Sequence, residues 1–480
     1  MNRRIADGLH NNSKQTTAEK NIPQEKEGKS TIYSDVSNAE LFRDMFKERI
    51  CWSKDYGGWF IFNGKVWKRD SNNAIKQYAI LLYEELQRRL QGFDGDSTAL
   101  DLFARHVKQS GNDGKLNAML NCAQALMGVG VDKFDSRNDL FNCNNGTINF
   151  ETGMFTRFRP EDYQTKISGA DYIPEAVCPL WRKFLDDIFL QDKEVISFMQ
   201  RVVGYSMTCS INEHCMFIFY GGGRNGKTTF IEVISKIFGD YSLSVPASSF
   251  NKKPNAGIPN DIARLKGARM VTAAEGSENV TLDESLIKQI TGGDRITARF
   301  LNKEFFDFYP TFKIFLYTNK KPNIRGMDTG IWRRIRMIPF DLNLTAEQED
   351  KELPLKLAEE MPGILSWAVE GYKQWKLQGL NTPEIISKAT LHYQSEEDDI
   401  GQFIEDWCIL EPTSHVPIHD FKNKFYQINK YGKSQKSISE YMRRHGYLKT
   451  DNRVTLPNGD RSRAYTGLRL KDNNTTERYD

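Results

Sequence analysis

Residues 215–229 read CMFIFYGGGRNGKTT, and this stretch restricts the fold more than any other. An apolar, β-prone run breaks into three glycines, then Arg-Asn-Gly-Lys-Thr-Thr, then the amphipathic pattern FIEVISKIF. The spacing G-x-x-x-x-G-K-T is met by Gly221, Gly226, Lys227 and Thr228. Gly221, Gly222 and Gly223 let consecutive backbone N–H groups turn toward an anion with no Cβ in the way. Arg224 and Asn225 complete the loop, and a helix starting near Lys227 aims its positive dipole end at the same point, with Thr229 in its first turn. Lys227 is placed to reach the β- and γ-phosphates of ATP, and the Thr228 hydroxyl to ligate Mg²⁺. Strand, loop and helix together predict an α/β protein with a phosphate cradle over residues 221–229.

Acidic and polar groups expected beside such a cradle follow in order. The apolar run at 270–274 ends in Glu275, with Glu278 three residues on. A phosphate-cleaving site needs a carboxylate at the end of a neighbouring strand to hold Mg²⁺ and polarise water. Glu275 is the first choice and Glu278 its companion; no adjacent acidic pair decides between them. ITARF and FFDFY are two alternating arms that meet at residues 301–304, a hairpin whose tip carries Asn302 and Lys303. KIFLYTN is an apolar strand ending in Thr318-Asn319, and polar residues at such strand ends converge on the ligand of an α/β sheet. GIWRRIRMIPF supplies Arg333 and Arg334, candidates to stabilise charge on a transferring phosphoryl group.

The remainder reads as flanking domains. Residues 1–36 are polar and poor in apolar side chains, a composition expected to stay disordered. Residues 37–190 read as an α+β domain. Asn63-Gly64 is a type I′ turn signal between aromatic arms, residues 75–90 form an amphipathic helix, and further turns are expected at Asn145-Gly146 and Thr152-Gly153. Asp94-x-Asp96 sits in a glycine-rich loop and reads as a turn, not a metal site. Residues 191–385 hold the nucleotide core, with closing helices broken at Pro362-Gly363. Residues 396–471 suggest three helices, beginning with FIEDWCIL, and a β-hairpin around Pro457-Asn458-Gly459, the order of a winged helix. Residues 472–480 read as a flexible tail. Between His415 and Lys471, Lys and Arg outnumber Asp and Glu by about three to one, the footprint of phosphate binding. Lys436, with Ser437 and Ser439, would start the helix that enters a groove, and Arg461 and Arg463 would lie on the wing.

The net charge of +3 names no partner by itself. The seven cysteines lack zinc spacing and read as reduced, and neither a signal peptide nor a membrane-length apolar run is present. A soluble, cytoplasmic protein is expected.

Taken in order, these motifs resemble the superfamily 3 helicases, a branch of the AAA+ ATPases, and more closely the replication helicases of phages, plasmids and mobile elements related to the poxvirus primase-helicase. GGGRNGKTT is similar to Walker A, the strand ending at Glu275 to Walker B, and IFLYTN to sensor 1. IKQITGGDRITAR with its hairpin resembles the DNA-contacting motif, and IWRRIRMIPF the arginine-finger segment. NCNNGTINFETG, CPLWRKFL and VVGYSMT resemble phrases of the domain that precedes the ATPase. The resemblance implies a homo-hexameric ring with ATP at subunit interfaces, Lys303 gripping single-stranded DNA in a channel, and 3′ to 5′ movement. Relatives of this kind often carry an N-terminal primase domain, but too little chain precedes the middle domain here and no metal-binding Asp pair is found, so no primer synthesis is expected. A bacterial host cytoplasm fits the family best. The expected activity is ATP-dependent unwinding of duplex DNA during replication of a mobile element, with origin recognition by the C-terminal domain. An origin-melting initiator without processive unwinding is the alternative, and an RNA-directed or protein-remodelling ring a third.

Overall fold

The computed structural model describes residues 33–252, 260–274, 280–299, 305–324, 329–345, 347–429, 434–450, 453–455 and 461–471. The chain divides into two compact units, Met1–Ile61 with Arg69–Val129, and Phe62–Lys68 with Gly130–Asp480. In the first unit the helices Asp35–Phe46, Ile75–Gln91, Ser97–Ser110 and Asp113–Leu126 enclose a core that includes Phe42, Trp59, Leu82, Leu86 and Phe103. Three helix starts are marked chemically. Ser34 and Ser37 cap reciprocally, and the Asp70 carboxylate accepts from the Ala74 and Ile75 N–H groups at 2.9 Å. Asp96 accepts from the Ala99 N–H at 2.7 Å, so this member of the Asp-x-Asp pair is a helix cap.

The Asn63-Gly64 turn lies between strands Gly58–Phe62 and Trp67–Arg69, but it is not type I′. Of the pair only Gly64 has positive φ (+94°), whereas type I′ requires both. The Asn63 side-chain oxygen instead accepts from the Lys65 and Val66 N–H groups at 2.9 Å. In the second unit, Leu140–Cys143 pairs with Gly146–Asn149 across Asn144-Asn145, one residue before the expected turn. Gly146 belongs to the strand, where a Cβ would lie 2.6 Å from the Phe155 ring and from the Thr156 carbonyl oxygen.

Five parallel strands form the centre of the second unit: β1 (Met216–Tyr220), β2 (Ser242–Pro246), β3 (Met270–Ala274), β4 (Lys313–Thr318) and β5 (Ile335–Pro339). Their spatial order is β5-β1-β4-β3-β2. Both faces are covered, as a sheet of parallel strands requires. In β1, Phe217 and Phe219 enter one core while Met216 and Ile218 enter the other. The first core is completed by α1 (Pro179–Ile188), α2 (Lys193–Ser206) and α3 (Lys227–Phe238), through Trp181, Phe198 and Phe230. On the other face, α4 (Glu284–Gly292) contributes Ile287 and Ile290. α5 (Met361–Gln378) adds Trp367 to the first core and crosses α2 with the two backbones close. A Cβ at Gly204 would come within 2.0 Å of the Tyr372 nitrogen, and one at Gly371 within 2.0 Å of the Gln200 oxygen. The expected break at Pro362-Gly363 falls earlier, at Glu360, because proline is tolerated in the first turn of α5.

The C-terminal stretch folds as α6 (Asp399–Trp407), β6 (Cys408–Pro417), α7 (Ile418–Ile428), α8 (Gln435–Arg444) and β7 (Ala464–Leu470), with a short pair Val454–Thr455 and Arg461–Ser462 before β7. FIEDWCIL is therefore not helical throughout. Helix α6 ends at Trp407, and Cys408, Ile409 and Leu410 pair with Leu470, Arg469 and Leu468. Phe403, Phe421, Phe425, Ile438, Met442 and Tyr465 fill its core. The turn at residues 457–459 lies outside the described residues. Among the described residues no helix is long and apolar enough to cross a membrane.

Candidate nucleotide site

The glycine-rich loop joins the carboxyl end of β1 to α3, as the spacing predicts. Gly226 stands at the start of α3 in the left-handed region, φ +84°, and a Cβ there would lie 2.5 Å from Ile188 Cγ2. Gly221 is held by close approach, since its Cβ would meet the Phe340 oxygen at 2.3 Å. Gly222 and Gly223 face open space, so no described atom of this chain requires their small size. Lys227 is buried, and its Nζ donates to the carbonyls of Gly221 at 2.7 Å and Gly222 at 2.8 Å and to Asn225 Oδ1 at 3.0 Å. Burial holds its ammonium below the ordinary lysine value. Asn225 Nδ2 donates to the Gly222 oxygen at 2.6 Å and to the Phe340 oxygen at 3.1 Å, bracing the loop against the residue that follows β5. Thr228 is exposed and Thr229 half-buried in the first turn of α3.

Beside this loop lies a cavity of about 980 Å³. One wall is α1, through Phe184, Asp187 and Ile188, and the other is the segment after β5, through Leu342, Leu344 and Lys351. The second wall is fastened to the loop by the Leu344 N–H donating to the Arg224 carbonyl at 3.1 Å. Arg224 Nε also lies 3.6 Å from Glu349. Neither wall was singled out from sequence, because an ordinary amphipathic helix such as CPLWRKFLDDIF has no local mark of a cavity lining. α1 is itself capped from afar: Glu360 accepts from the Leu180 N–H at 3.0 Å and the Trp181 N–H at 2.8 Å. A triphosphate fits this donor set: a helix N-terminus, a buried ammonium facing loop carbonyls, and an exposed hydroxyl, beside room for a base and sugar.

Thr318 is in register with Tyr220, so exposed Asn319 emerges from β4 beside the start of the loop. Ala274 ends β3 in register with Tyr317; Glu275 and Glu278, which follow, lie outside the described residues. The two arginines are placed otherwise. Ile335 pairs with Met216, so Arg333 and Arg334 sit at the amino edge of the sheet. The five residues of β1 separate that edge from the loop, about 17 Å. Arg333 is exposed, whereas Arg334 is half-buried, with Nε donating to Thr291 Oγ1 at 3.0 Å and Nη1 to the Gly330 carbonyl at 2.5 Å. The hairpin strands Ile296–Arg299 and Phe305–Phe308 pair antiparallel; Asn302 and Lys303 between them lie outside the described residues. Lys436, Arg461 and Arg463 are all exposed. Ser437 N–H donates to Ser434, and Ser439 Oγ lies 3.2 Å from the Tyr465 hydroxyl, so these serines take part in internal contacts of the fold.

Residues 39–190 match a family model described as D5 N terminal like, and residues 219–334 match a family of unknown function (DUF5906). The chain is 24% identical over 468 residues to "Putative helicase L207/L206" of Acanthamoeba polyphaga mimivirus, covering 87% of this chain and 48% of that one. It is 25% identical to "Putative helicase 184R" of Invertebrate iridescent virus 6, covering 73% and 45%. It is 27% identical to "Putative primase C962R" of African swine fever virus (isolate Tick/Malawi/Lil 20-1/1983), covering 54% and 28%. The chain thus spans about half the length, or less, of the curated relatives it matches. Among solved structures, the A form apo structure of the NrS-1 C terminal region is similar with a TM-score of 0.49 and 12% identity, covering 90% of this chain and 99% of that one. The sequence similarity is to viral proteins described as putative helicases and a putative primase, and it takes in both the region ahead of the phosphate loop and the loop itself.

Proposed function

We propose that this chain is an ATP-driven DNA helicase of the replicative kind, its core an AAA+ module of the superfamily 3 type over residues 191–385. One observation carries the reading: the Lys227 loop lies at the carboxyl edge of a β5-β1-β4-β3-β2 sheet, with Asn319 leaving the adjacent strand. Gly221–Thr229 would bind the triphosphate, Thr228 and Glu275 would hold Mg²⁺, and Asn319 with Glu275 or Glu278 would orient the attacking water. Mg²⁺ would neutralise charge on the phosphates. Lys227 supplies positive charge where negative charge develops. The amino-edge position of Arg333 favours a finger reaching a neighbouring subunit's nucleotide, hence a ring, taken as a homo-hexamer moving 3′ to 5′ from the resemblance above. Asn302 and Lys303 are assigned to DNA in its channel. Hydrolysis stimulated by single-stranded DNA and not by RNA tests the choice of partner; stimulation by RNA alone overturns it.

The helix–strand–helix–helix–strand order of the C-terminal stretch, with Lys436, Arg461 and Arg463 outward, favours a winged helix on duplex DNA. It also keeps alive the origin-melting initiator. Strand separation on a plain forked duplex excludes the initiator, and activity confined to one specific duplex sequence selects it.

A further inference from the structure

Alternation along the hairpin puts Ile296, Ala298 and Phe308 inward and Thr297, Arg299, Phe305 and Asp307 outward. On that outward face a soluble strand ordinarily carries polar side chains, yet Phe305 is 65% exposed and Tyr309, just beyond the strand, is 66% exposed. Phe305 is not bare. Its register partner is Arg299, whose guanidinium lies 5.0 Å from the ring centroid. The acidic residue of the face, Asp307, is engaged by Thr297 Oγ1 at 2.5 Å and by Arg295 Nε at 3.5 Å. A flat π-face, a planar cation over it and a second arginine on the same face make a surface complementary to stacked bases joined by phosphates.

We propose that Phe305 and Arg299 form a stacking platform for the bases of single-stranded nucleic acid, on the outward face of the paired strands Ile296–Arg299 and Phe305–Phe308. This rests on the reading of the chain as a nucleic-acid motor and adds a different kind of contact to it. Lys303 is assigned to phosphate, while Phe305 stacks on any base without reading its identity. The platform therefore senses whether bases are unpaired, which a phosphate contact does not.

The test compares the full-length protein with Phe305→Ala and Phe305→Trp on two fluorescent probes, oligo-dT and an abasic oligonucleotide of equal length. Phe305→Ala should weaken oligo-dT binding by about five-fold to a hundred-fold per engaged base, leave abasic binding unchanged and keep the salt dependence. Phe305→Trp should restore oligo-dT affinity. Equal affinity of wild type and Phe305→Ala for oligo-dT overturns the platform. So does equal loss on both probes, or a change in subunit assembly with base dependence intact, which would make Phe305 an intersubunit contact. Failure of the wild type to bind either probe overturns the motor reading itself, and the platform with it.

Discussion

Arg334 Nε donates to Thr291 Oγ1 at 3.0 Å, tying the second arginine of the Arg333-Arg334 pair to the end of α4. The first arginine is exposed at the same edge of the sheet. Adjacent identical side chains are thereby separated into a structural and a catalytic candidate. Arg333→Ala should leave thermal stability within about 0.5 kcal/mol of wild type and lower hydrolysis by about a thousand-fold or more. Arg334→Ala should cost about 1–3 kcal/mol of stability, since the Thr291 and Gly330 contacts are lost. Denaturant melts beside steady-state ATPase rates separate the two; loss of activity only in the Arg334 variant would reverse the assignment.

Gly226 offers a steric test of the cradle. A side chain there combines the left-handed φ penalty, about 1–2 kcal/mol, with collision against Ile188 of α1. Gly226→Ala should abolish binding of a fluorescent ATP analogue in titration, whereas Gly223→Ala, with open space at its Cβ, should retain the fold and lose affinity only through the ligand.

Much of this site was legible because its parts are local. The strand before Gly221 and the strands ending at Ala274 and Thr318 are each a continuous apolar run, and the helix after Gly226 follows a period of 3.6. What escaped is long-range. Ile188 meets Gly226, Glu360 caps α1 from the start of α5, and Cys408–Leu410 take strand geometry from a partner 60 residues away in β7. The Asn63-Gly64 pair marks the turn but not its type, because the side-chain oxygen of Asn63 accepts from the Lys65 and Val66 N–H groups in place of the backbone conformation that the Asn-Gly pair favours.

Lys313 gives a pH dependence unrelated to catalysis. It begins β4, buried, with Nζ donating to the Thr208 carbonyl at 2.5 Å and lying 4.5 Å from the Tyr205 ring centroid. Burial pushes its pKa down to about 7 from the ordinary 10.5, with the Arg269 charge acting in the same direction. Between these values the unfolded chain holds a proton that the folded chain has released, so stability rises with pH, by at most about 1.4 kcal/mol per unit. Below about pH 7 both states are charged and the burial penalty is felt in full. Lys313→Met should remove this rise between pH 7 and 8.5 in urea melts; parallel profiles for variant and wild type would refute it.

The central claim is that hydrolysis at the Lys227 loop drives strand separation. Unwinding of a forked DNA duplex with ATP and Mg²⁺, wild type beside Lys227→Ala, tests it most directly. The account predicts strand separation and DNA-stimulated hydrolysis by the wild type, and loss of both in the variant with the fold retained. Unwinding that survives Lys227→Ala would contradict it.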